Sequence, residues 1–118
     1  MKTIIISALF CLIAAVAVSA EPGSISVYNA GGYISRFYVE WENKAGNTEI
    51  ADSNEFSLGA TVTVNIPDGA KNVNLRVLNR VFFTVTMDIF TLSFPGPVKK
   101  CYKIWGTTLQ PSHSEISC

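Results

Sequence analysis

The sequence predicts an all-β protein that folds as an antiparallel β-sandwich. Several segments after residue 20 alternate apolar and polar residues with a period of two, as in strands that have one face on a core. Clusters of Gly, Pro, Asn and Asp separate these segments at short intervals. No segment keeps a helical period over several turns. Short strands at such spacing indicate two sheets packed face to face.

The first half of the domain is predicted to contain three strands. Residues 24–27 alternate apolar and polar side chains, and Ala30-Gly31-Gly32 then reverses the chain. Residues 33–41 carry large apolar side chains at almost every odd position, so that face is expected to be buried. A turn cluster occupies residues 44–48, and residues 61–66 alternate again before the turn at Pro67-Asp68-Gly69.

The second half is predicted to contain three further strands. Residues 72–77 alternate, and apolar residues at odd positions from Val81 to Ile89 predict one long strand. The apolar positions then change parity at Phe90, which predicts a bulge or a break near Asp88. Residues 94–97 form a stiff turn, and residues 99–109 are predicted to be the last long strand.

Residues 1–20 read as a secretory signal peptide. Lys2 precedes an apolar run that is too short to span a bilayer, and Val18-Ser19-Ala20 is a small-residue cleavage pattern. Residues 21–118 are then expected to form a single domain of a secreted, extracellular protein.

The charges do not suggest electrostatic capture of nucleic acid or of an acidic membrane. The chain has nine basic and nine acidic residues, and removal of Lys2 with the signal peptide leaves eight basic residues. The small cluster of Lys99, Lys100 and Lys103 is interpreted as a solvated strand face.

Two cysteines remain after removal of Cys11, and their compartment is oxidising. Cys101 and Cys118 are therefore expected to form a disulfide. It would close a loop of roughly 18 residues and contribute on the order of 3 kcal/mol. An intermolecular bridge is the alternative. A metal site is disfavoured because two cysteines and the lone His113 fall short of a tetrahedral ligand set.

Residues 104–111, with the sequence IWGTTLQP, form an unusually apolar loop tip. Loop tips normally face water and are polar, but here Leu109 follows two threonine hydroxyls. This pairing suits a ligand that is half apolar and half polar, such as a lipid. The alternative is that Leu109 folds back under the loop into the core.

No residue pattern favours an enzyme. His113 lies in a Ser-rich tail that reads as exposed coil, so a Ser-His-Asp arrangement is not expected. Glu40 and Glu42 lie about 7 Å apart on one side of a strand, where a solvated face explains them better than glycoside hydrolysis does. Residues 52–55 are rich in oxygen ligands but lack the spacing of a calcium loop. No phosphate-binding loop is present in the sequence, and no cofactor is expected.

Three segments resemble one family. IWGTTLQP resembles the IWGTTLYP segment near the C-terminus of the cholesterol-dependent, or thiol-activated, cytolysins, where it closes the membrane-binding fourth domain. SVYNAGGYISRFYVEWE, at residues 26–42, resembles the first two strands of that domain. GATVTVNIPDGAKNVNLRVL, at residues 59–78, resembles its middle strands. The resemblance spans roughly residues 24–111 and implies a cytolysin C-terminal-like β-sandwich over residues 21–118.

The resemblance also implies site residues. In that family a Thr-Leu pair on this loop recognises cholesterol, and the matching residues here are Thr108 and Leu109. Neighbouring loop tips of the family enter the bilayer surface. The corresponding membrane-contacting residues expected here are Gly32 and Tyr33 in one loop and Phe94, Pro95 and Gly96 in another.

Two departures limit what the family implies. Its Trp-rich undecapeptide, which couples binding to pore assembly, is expected after Leu78, but residues 79–88 read NRVFFTVTMD without a Trp. The pore-forming domains are not expected within a chain of this length either. A pore-former that acts alone is therefore not predicted.

We expect a secreted, non-enzymatic module that recognises a membrane sterol or lipid head groups. One alternative is a glycan-binding, lectin-like sandwich in which Trp105 and Tyr102 stack on sugars, although Trp105 also fits a core position. Another is a small toxin or effector that acts with a partner chain. The sequence leaves the oligomeric state open.

Overall fold

Residues 21–118 form two four-stranded β-sheets, and these are the residues that the computed structural model describes. The strands are β1 (Gly23–Asn29), β2 (Ser35–Glu42), β3 (Thr48–Asp52), β4 (Thr61–Ile66), β5 (Lys71–Phe82), β6 (Val85–Phe94), β7 (Lys99–Gly106) and β8 (Pro111–Ile116). One sheet has the order β4-β1-β7-β8 and the other β3-β2-β5-β6. The sequence correctly predicts an all-β sandwich, and the expected signal peptide lies outside the described residues.

The core lies between the two sheets because alternate residues of the central strands point inward. In β2 the odd-numbered residues are buried and the even-numbered ones are more accessible, as the alternation predicts. Ile25, Val27, Phe37, Val39 and Ile104 are fully buried in one apolar cluster. Burying each such side chain stabilises the fold by about 1.5–3 kcal/mol.

One strand pair of this largely antiparallel sandwich is parallel, which alternation in the sequence does not reveal. β1 pairs with β7 in parallel, from Ser24 opposite Lys99 to Asn29 opposite Ile104. The five other strand pairs are antiparallel. β1 and β7 therefore end at the same edge of their sheet, and the connections that follow them start side by side.

A β-hairpin replaces the predicted long strand over residues 81–89, so that prediction is wrong. β5 runs on to Phe82 and β6 begins at Val85, so the chain reverses at residues 83–84. The turn contains no Gly or Asn, and the apolar alternation continues across it. The irregularity predicted near Asp88 is confirmed, because consecutive β5 residues, Val77 and Leu78, pair with Phe90 and Asp88.

Two strands escaped the sequence analysis because their composition is polar. β3 carries a single large apolar side chain, Ile50, and lies at a sheet edge. β8 pairs with β7 where exposed coil was expected. Its His113 ring stacks on Phe90 with 4.1 Å between ring centroids. β7 in turn ends at Gly106, three residues earlier than predicted.

The disulfide predicted between Cys101 and Cys118 is present, with 5.3 Å between the two Cα atoms. It joins Cys118 to β7, the strand next to the edge strand β8. Among the described residues there is no helix with the length and apolarity needed to cross a membrane.

Replacing both cysteines, as Cys101→Ala with Cys118→Ala, is expected to lower the free energy of unfolding by about 3 kcal/mol, because the unfolded chain regains the entropy of an open loop. Urea denaturation measures the change. Wild-type protein under reducing conditions serves as the control and should match the variant. An unchanged denaturation midpoint in both samples would show that the bridge does not stabilise the domain.

Candidate functional site

Four connections meet at one end of the sandwich, which we call the loop end. They are the β1–β2, β3–β4, β5–β6 and β7–β8 connections, at residues 30–34, 53–60, 83–84 and 107–110. The parallel pairing of β1 with β7 brings two of them together. The first residue of β2, Ser35, pairs with Asn79 near the end of β5, so the β5–β6 hairpin lies at the same end of the sandwich.

Backbone hydrogen bonds tie these connections to one another. The N–H of Ala30 donates to the carbonyl of Ile104 at 2.7 Å, and the N–H of Gly32 donates to that of Gly106, the last residue of β7, at 3.4 Å. The N–H of Gly59 donates to the carbonyl of Asn29, also at 2.7 Å. Three of the four connections are therefore tied to one hydrogen-bonded frame.

The buried Asn29 side chain organises the base of the loop end. Its Nδ2 donates to the carbonyl of Tyr33 at 2.8 Å and to that of Phe56 at 3.3 Å. Its Oδ1 accepts the N–H of Gly31 at 2.8 Å. The amide thus satisfies backbone groups of two connections in a place that water does not reach.

The β7–β8 loop is a tight turn that presents Leu109. Thr107 and Gln110 exchange backbone hydrogen bonds of 3.3 and 3.1 Å. Gly106 enters the turn with φ of 95°, where a Cβ atom would lie 2.5 Å from the carbonyl oxygen of Gln110. Leu109 is 70% exposed, so it does not fold back into the core, and Thr108 beside it is half-buried.

Tyr33 supports this loop from inside the protein, which corrects its expected role in membrane contact. Its side chain is buried, and its hydroxyl donates to the carbonyl of Trp105 at 2.8 Å. Burial raises the pKa of the phenol. Gly32 in the same connection is exposed at the loop end.

Asn79 reaches the same loop from the opposite sheet. The side chain is almost fully buried, and Nδ2 donates to the carbonyl of Thr108 at 2.8 Å. Within residues 21–118 the Oδ1 atom has no hydrogen-bond partner. An unpaired buried acceptor costs about 1–3 kcal/mol.

Large apolar side chains project from three of the connections or from the strand ends beside them. Phe83 is 76% exposed and has a positive φ of 43°, which is uncommon for a bulky residue. The exposed apolar residues of the loop end are Leu58, Phe82, Phe83, Val85 and Leu109. We call them the apolar tips. Exposed apolar side chains gathered at one end of a domain mark an interaction surface.

Of these five residues, only Leu109 was predicted from the sequence to be an apolar residue at a loop tip. The adjacent pair Phe82-Phe83 was nevertheless a signal, because neighbouring residues of a strand point to opposite faces and only one can enter the core. In the structure both rings lie outside it and contact each other, with 4.6 Å between centroids.

The turn at Phe94, Pro95 and Gly96 lies at the other end of the sandwich, so its expected role beside Thr108 and Leu109 is corrected. Phe94 pairs with Val73 near the start of β5, and Pro95 accepts a hydrogen bond from the N–H of Asn72. β7 begins just after this turn and extends roughly 23 Å to the loop end at the usual strand rise. The turn therefore does not neighbour the Thr108–Leu109 loop.

The two candidate glycan-stacking residues differ in exposure. Trp105 lies at the surface, and the Nζ atom of Lys103 is 5.8 Å from its ring centroid. Tyr102 is buried against Phe90, and burial raises its pKa. Tyr102 has no free ring face for a sugar, which corrects its expected role.

A cleft of about 400 Å³ lies beside the hairpin on the outer face of the second sheet. Its arginines are paired: Arg36 with Asp52, Arg76 with Asp88 and Arg80 with Glu55. The hydrogen bond from Arg36 holds the pKa of Asp52 below its usual value. The cleft therefore has balanced charges. Residues 21–118 contain no group of three or more side chains placed to bind a metal ion.

The sequence matches a known domain family, and solved structures share its fold. Residues 24–112 match the family described as the thiol-activated cytolysin beta sandwich domain. Ivanolysin of Listeria ivanovii is 26% identical, over 79% of this chain and 20% of ivanolysin. The chain thus spans about a fifth of the length of that relative.

Solved structures of toxins share the fold. The human-specific toxin intermedilysin superposes with a TM-score of 0.63 at 20% identity, over 84% of this chain and 24% of intermedilysin. Listeriolysin O gives a TM-score of 0.61 at 21% identity, over 82% and 22% of the two chains. Suilysin from Streptococcus suis gives 0.61 at 17% identity, over 82% and 23%.

Stability is expected to fall above about pH 10, the ordinary pKa of tyrosine. The folded state raises the pKa of Tyr33 and Tyr102, so the unfolded state loses these protons first and gains relative to the folded state as the pH rises. Urea denaturation at neutral and alkaline pH measures this loss. Tyr33→Phe should reduce the alkaline loss, and an equal loss in the variant and the wild type would contradict the assignment.

Proposed function

Because this chain belongs to the thiol-activated cytolysin β-sandwich family, we propose that it is a membrane-binding module that recognises a sterol through Thr108 and Leu109. The observation that carries the proposal is the loop end, where the half-buried residue Thr108 lies next to the exposed Leu109 and at the same end of the sandwich as the other apolar tips. The proposal places the protein outside the cell, bound peripherally to a membrane. It assigns no catalytic role to any residue.

The chemistry of the Thr108–Leu109 pair matches that of a sterol. A sterol has one hydroxyl at the level of the lipid head groups and a flat apolar body below it. The Thr108 hydroxyl both donates and accepts hydrogen bonds, so it can pair with the sterol hydroxyl. Leu109 then packs on the ring face, where full burial would contribute about 1.5–3 kcal/mol.

The remaining apolar tips support membrane attachment without being specific for sterol. Leu58, Phe82, Phe83 and Val85 lie on other connections or strand ends at the same end of the sandwich as Leu109, so they are available to the same membrane surface. Each shallow insertion is weak by itself, and useful affinity requires several tips at once.

Charge contributes little to this mode of binding. The full chain carries equal numbers of basic and acidic residues, and the arginines beside the hairpin are paired with carboxylates. Attachment should therefore depend only weakly on salt, unlike that of a protein held by a basic patch. Pore formation is not part of the proposal, since the chain spans about a fifth of ivanolysin.

The sterol claim predicts that the protein sediments with cholesterol-containing liposomes more than with matched cholesterol-free liposomes. Thr108→Gly combined with Leu109→Gly should abolish the difference, because the variant has neither the hydroxyl nor the apolar side chain. Ile50→Gly is the matched control, since Ile50 is a 63% exposed apolar residue on β3, away from the loop end. Equal sedimentation of the wild type with both liposomes would refute the sterol claim.

The apolar tips predict that Phe83→Asn weakens binding to liposomes with and without cholesterol by a similar factor. Asn tolerates a positive φ better than Phe does, so the free energy of unfolding should stay the same or rise. Sedimentation and urea denaturation of the same variant measure the two effects. Unchanged binding would exclude the hairpin from the membrane contact, whereas a loss of stability would attribute weaker binding to misfolding.

A further inference from the structure

We propose that Asn79 is the positioning residue that holds the Thr108–Leu109 loop in its binding orientation. The proposal rests on the sterol-binding role proposed above. It identifies the residue that fixes the orientation of the loop in that role. Asn79 lies on β5, in the sheet opposite the loop, and its side chain reaches Thr108 across the end of the sandwich.

The geometry makes the contact specific. Thr108 contributes its backbone carbonyl, which only accepts hydrogen bonds, so the Nδ2 side of the amide must face it. The bond is 2.8 Å long and joins residues 29 positions apart in sequence. It acts on the residue whose side-chain hydroxyl is proposed to meet the sterol. A rotation of this peptide group would redirect Leu109, which follows it, relative to the Thr108 side chain.

The rest of the turn does not supply this constraint. The bonds between Thr107 and Gln110 close the turn on itself, and Tyr33 binds the carbonyl of Trp105 before the turn begins. Neither set of contacts fixes the tip relative to the second sheet. Asn79, which belongs to that sheet, donates its hydrogen bond directly to the tip.

Stability alone does not explain an amide at this position. The Oδ1 atom of Asn79 is buried and has no partner among the described residues. A buried polar group that is only half satisfied is a poor substitute for an apolar side chain of similar size. The N–H donor of the amide explains its presence, because it forms the hydrogen bond to the carbonyl of Thr108.

The same residue links the loop to the hairpin that carries Phe82 and Phe83. Asn79 pairs with Met87 across the β5–β6 ladder, at the base of that hairpin. The loop with the proposed sterol-binding pair and the hairpin with the most exposed apolar side chain are thus held at a fixed spacing. Both can then contact one flat surface at the same time.

The test compares Asn79→Leu with Ser35→Ala. Ser35 is equally buried, and its hydroxyl donates to the carbonyl of Leu78 at 2.6 Å, so the control also loses a buried bond to a backbone carbonyl. Two quantities are measured in each protein: amide hydrogen exchange of residues 107–110, and sedimentation with cholesterol-containing and cholesterol-free liposomes.

Asn79→Leu should speed exchange at residues 107–110 and lower the preference for cholesterol liposomes by about 2- to 10-fold, as expected for one lost hydrogen bond. Ser35→Ala should do neither. Equal behaviour of the two variants in both measurements would overturn the positioning role. If the wild type shows no cholesterol preference, the proposed function fails, and the exchange measurement still decides whether Asn79 holds the loop.

Asn79→Asp provides an independent check if Asn79→Leu fails to fold. The introduced carboxyl group has no proton to donate to Thr108 when it is ionised, and it regains one when it is protonated, at a pKa that burial raises. Exchange at residues 107–110 should therefore be fast at alkaline pH and slow toward that of the wild type, compared at the same pH, as the pH falls. A constant ratio between variant and wild type across the pH range would contradict the proposal.

Discussion

The hydrogen bonds between the parallel strands β1 and β7 determine which loops of this domain lie together. Because both strands end at the same edge, Asn29 lies beside Ile104, and the connections after them leave the sheet as neighbours. An antiparallel pair would send these connections to opposite ends. Pairing β2 with β5 in the second sheet then brings the hairpin to the same end. Strand direction therefore determines which loops meet at the loop end, and the loop sequences determine which side chains are presented there.

Buried polar side chains and exposed apolar side chains have complementary roles at this end. Asn29, Tyr33 and Asn79 are buried, and each donates a hydrogen bond to a backbone carbonyl of a connecting segment or of the strand end beside it. They keep the loops in place where strand pairing stops. The apolar tips project outward from this frame and are therefore presented in fixed positions. Less conformational freedom is then lost on binding than with mobile loops.

Alternation predicted the strands and the core, because burial acts on every second residue wherever one face of a strand is covered. It predicted β2 closely. The disulfide was predicted separately, from the two cysteines that remain after the signal peptide and from their oxidising compartment. Alternation failed at β8, where pairing with β7 orders a polar segment that has no apolar face. It also failed at Phe83, because a turn without Gly or Asn continues the strand pattern. Alternation by itself identifies neither feature.

The placement of the site depended on topology even more strongly. Phe94 and Phe83 are both aromatic residues near turns, and their sequence neighbourhoods do not indicate which end of the sandwich they occupy. The pairing of Phe94 with Val73 places it opposite the loop end. Tyr33 and Tyr102 were similarly ambiguous, since tyrosine suits both a buried position with a bonded hydroxyl and an exposed ring. Only the packing of the two sheets distinguishes these positions.

The central claim is that the loop end, and no other surface, meets the membrane. The two tryptophans of the chain test it directly, because Trp105 lies beside the Thr108–Leu109 loop and Trp41 lies near the far end of β2. Trp41→Phe and Trp105→Phe each leave one emitting residue, and Trp41→Phe also removes a buried indole donor that has no partner among the described residues. The measurement is quenching of tryptophan fluorescence by lipids with brominated acyl chains, in cholesterol-containing liposomes. If the loop end meets the membrane, Trp105 is quenched and Trp41 is not. Quenching of Trp41 to the same extent, or quenching of neither residue in bound protein, would contradict it.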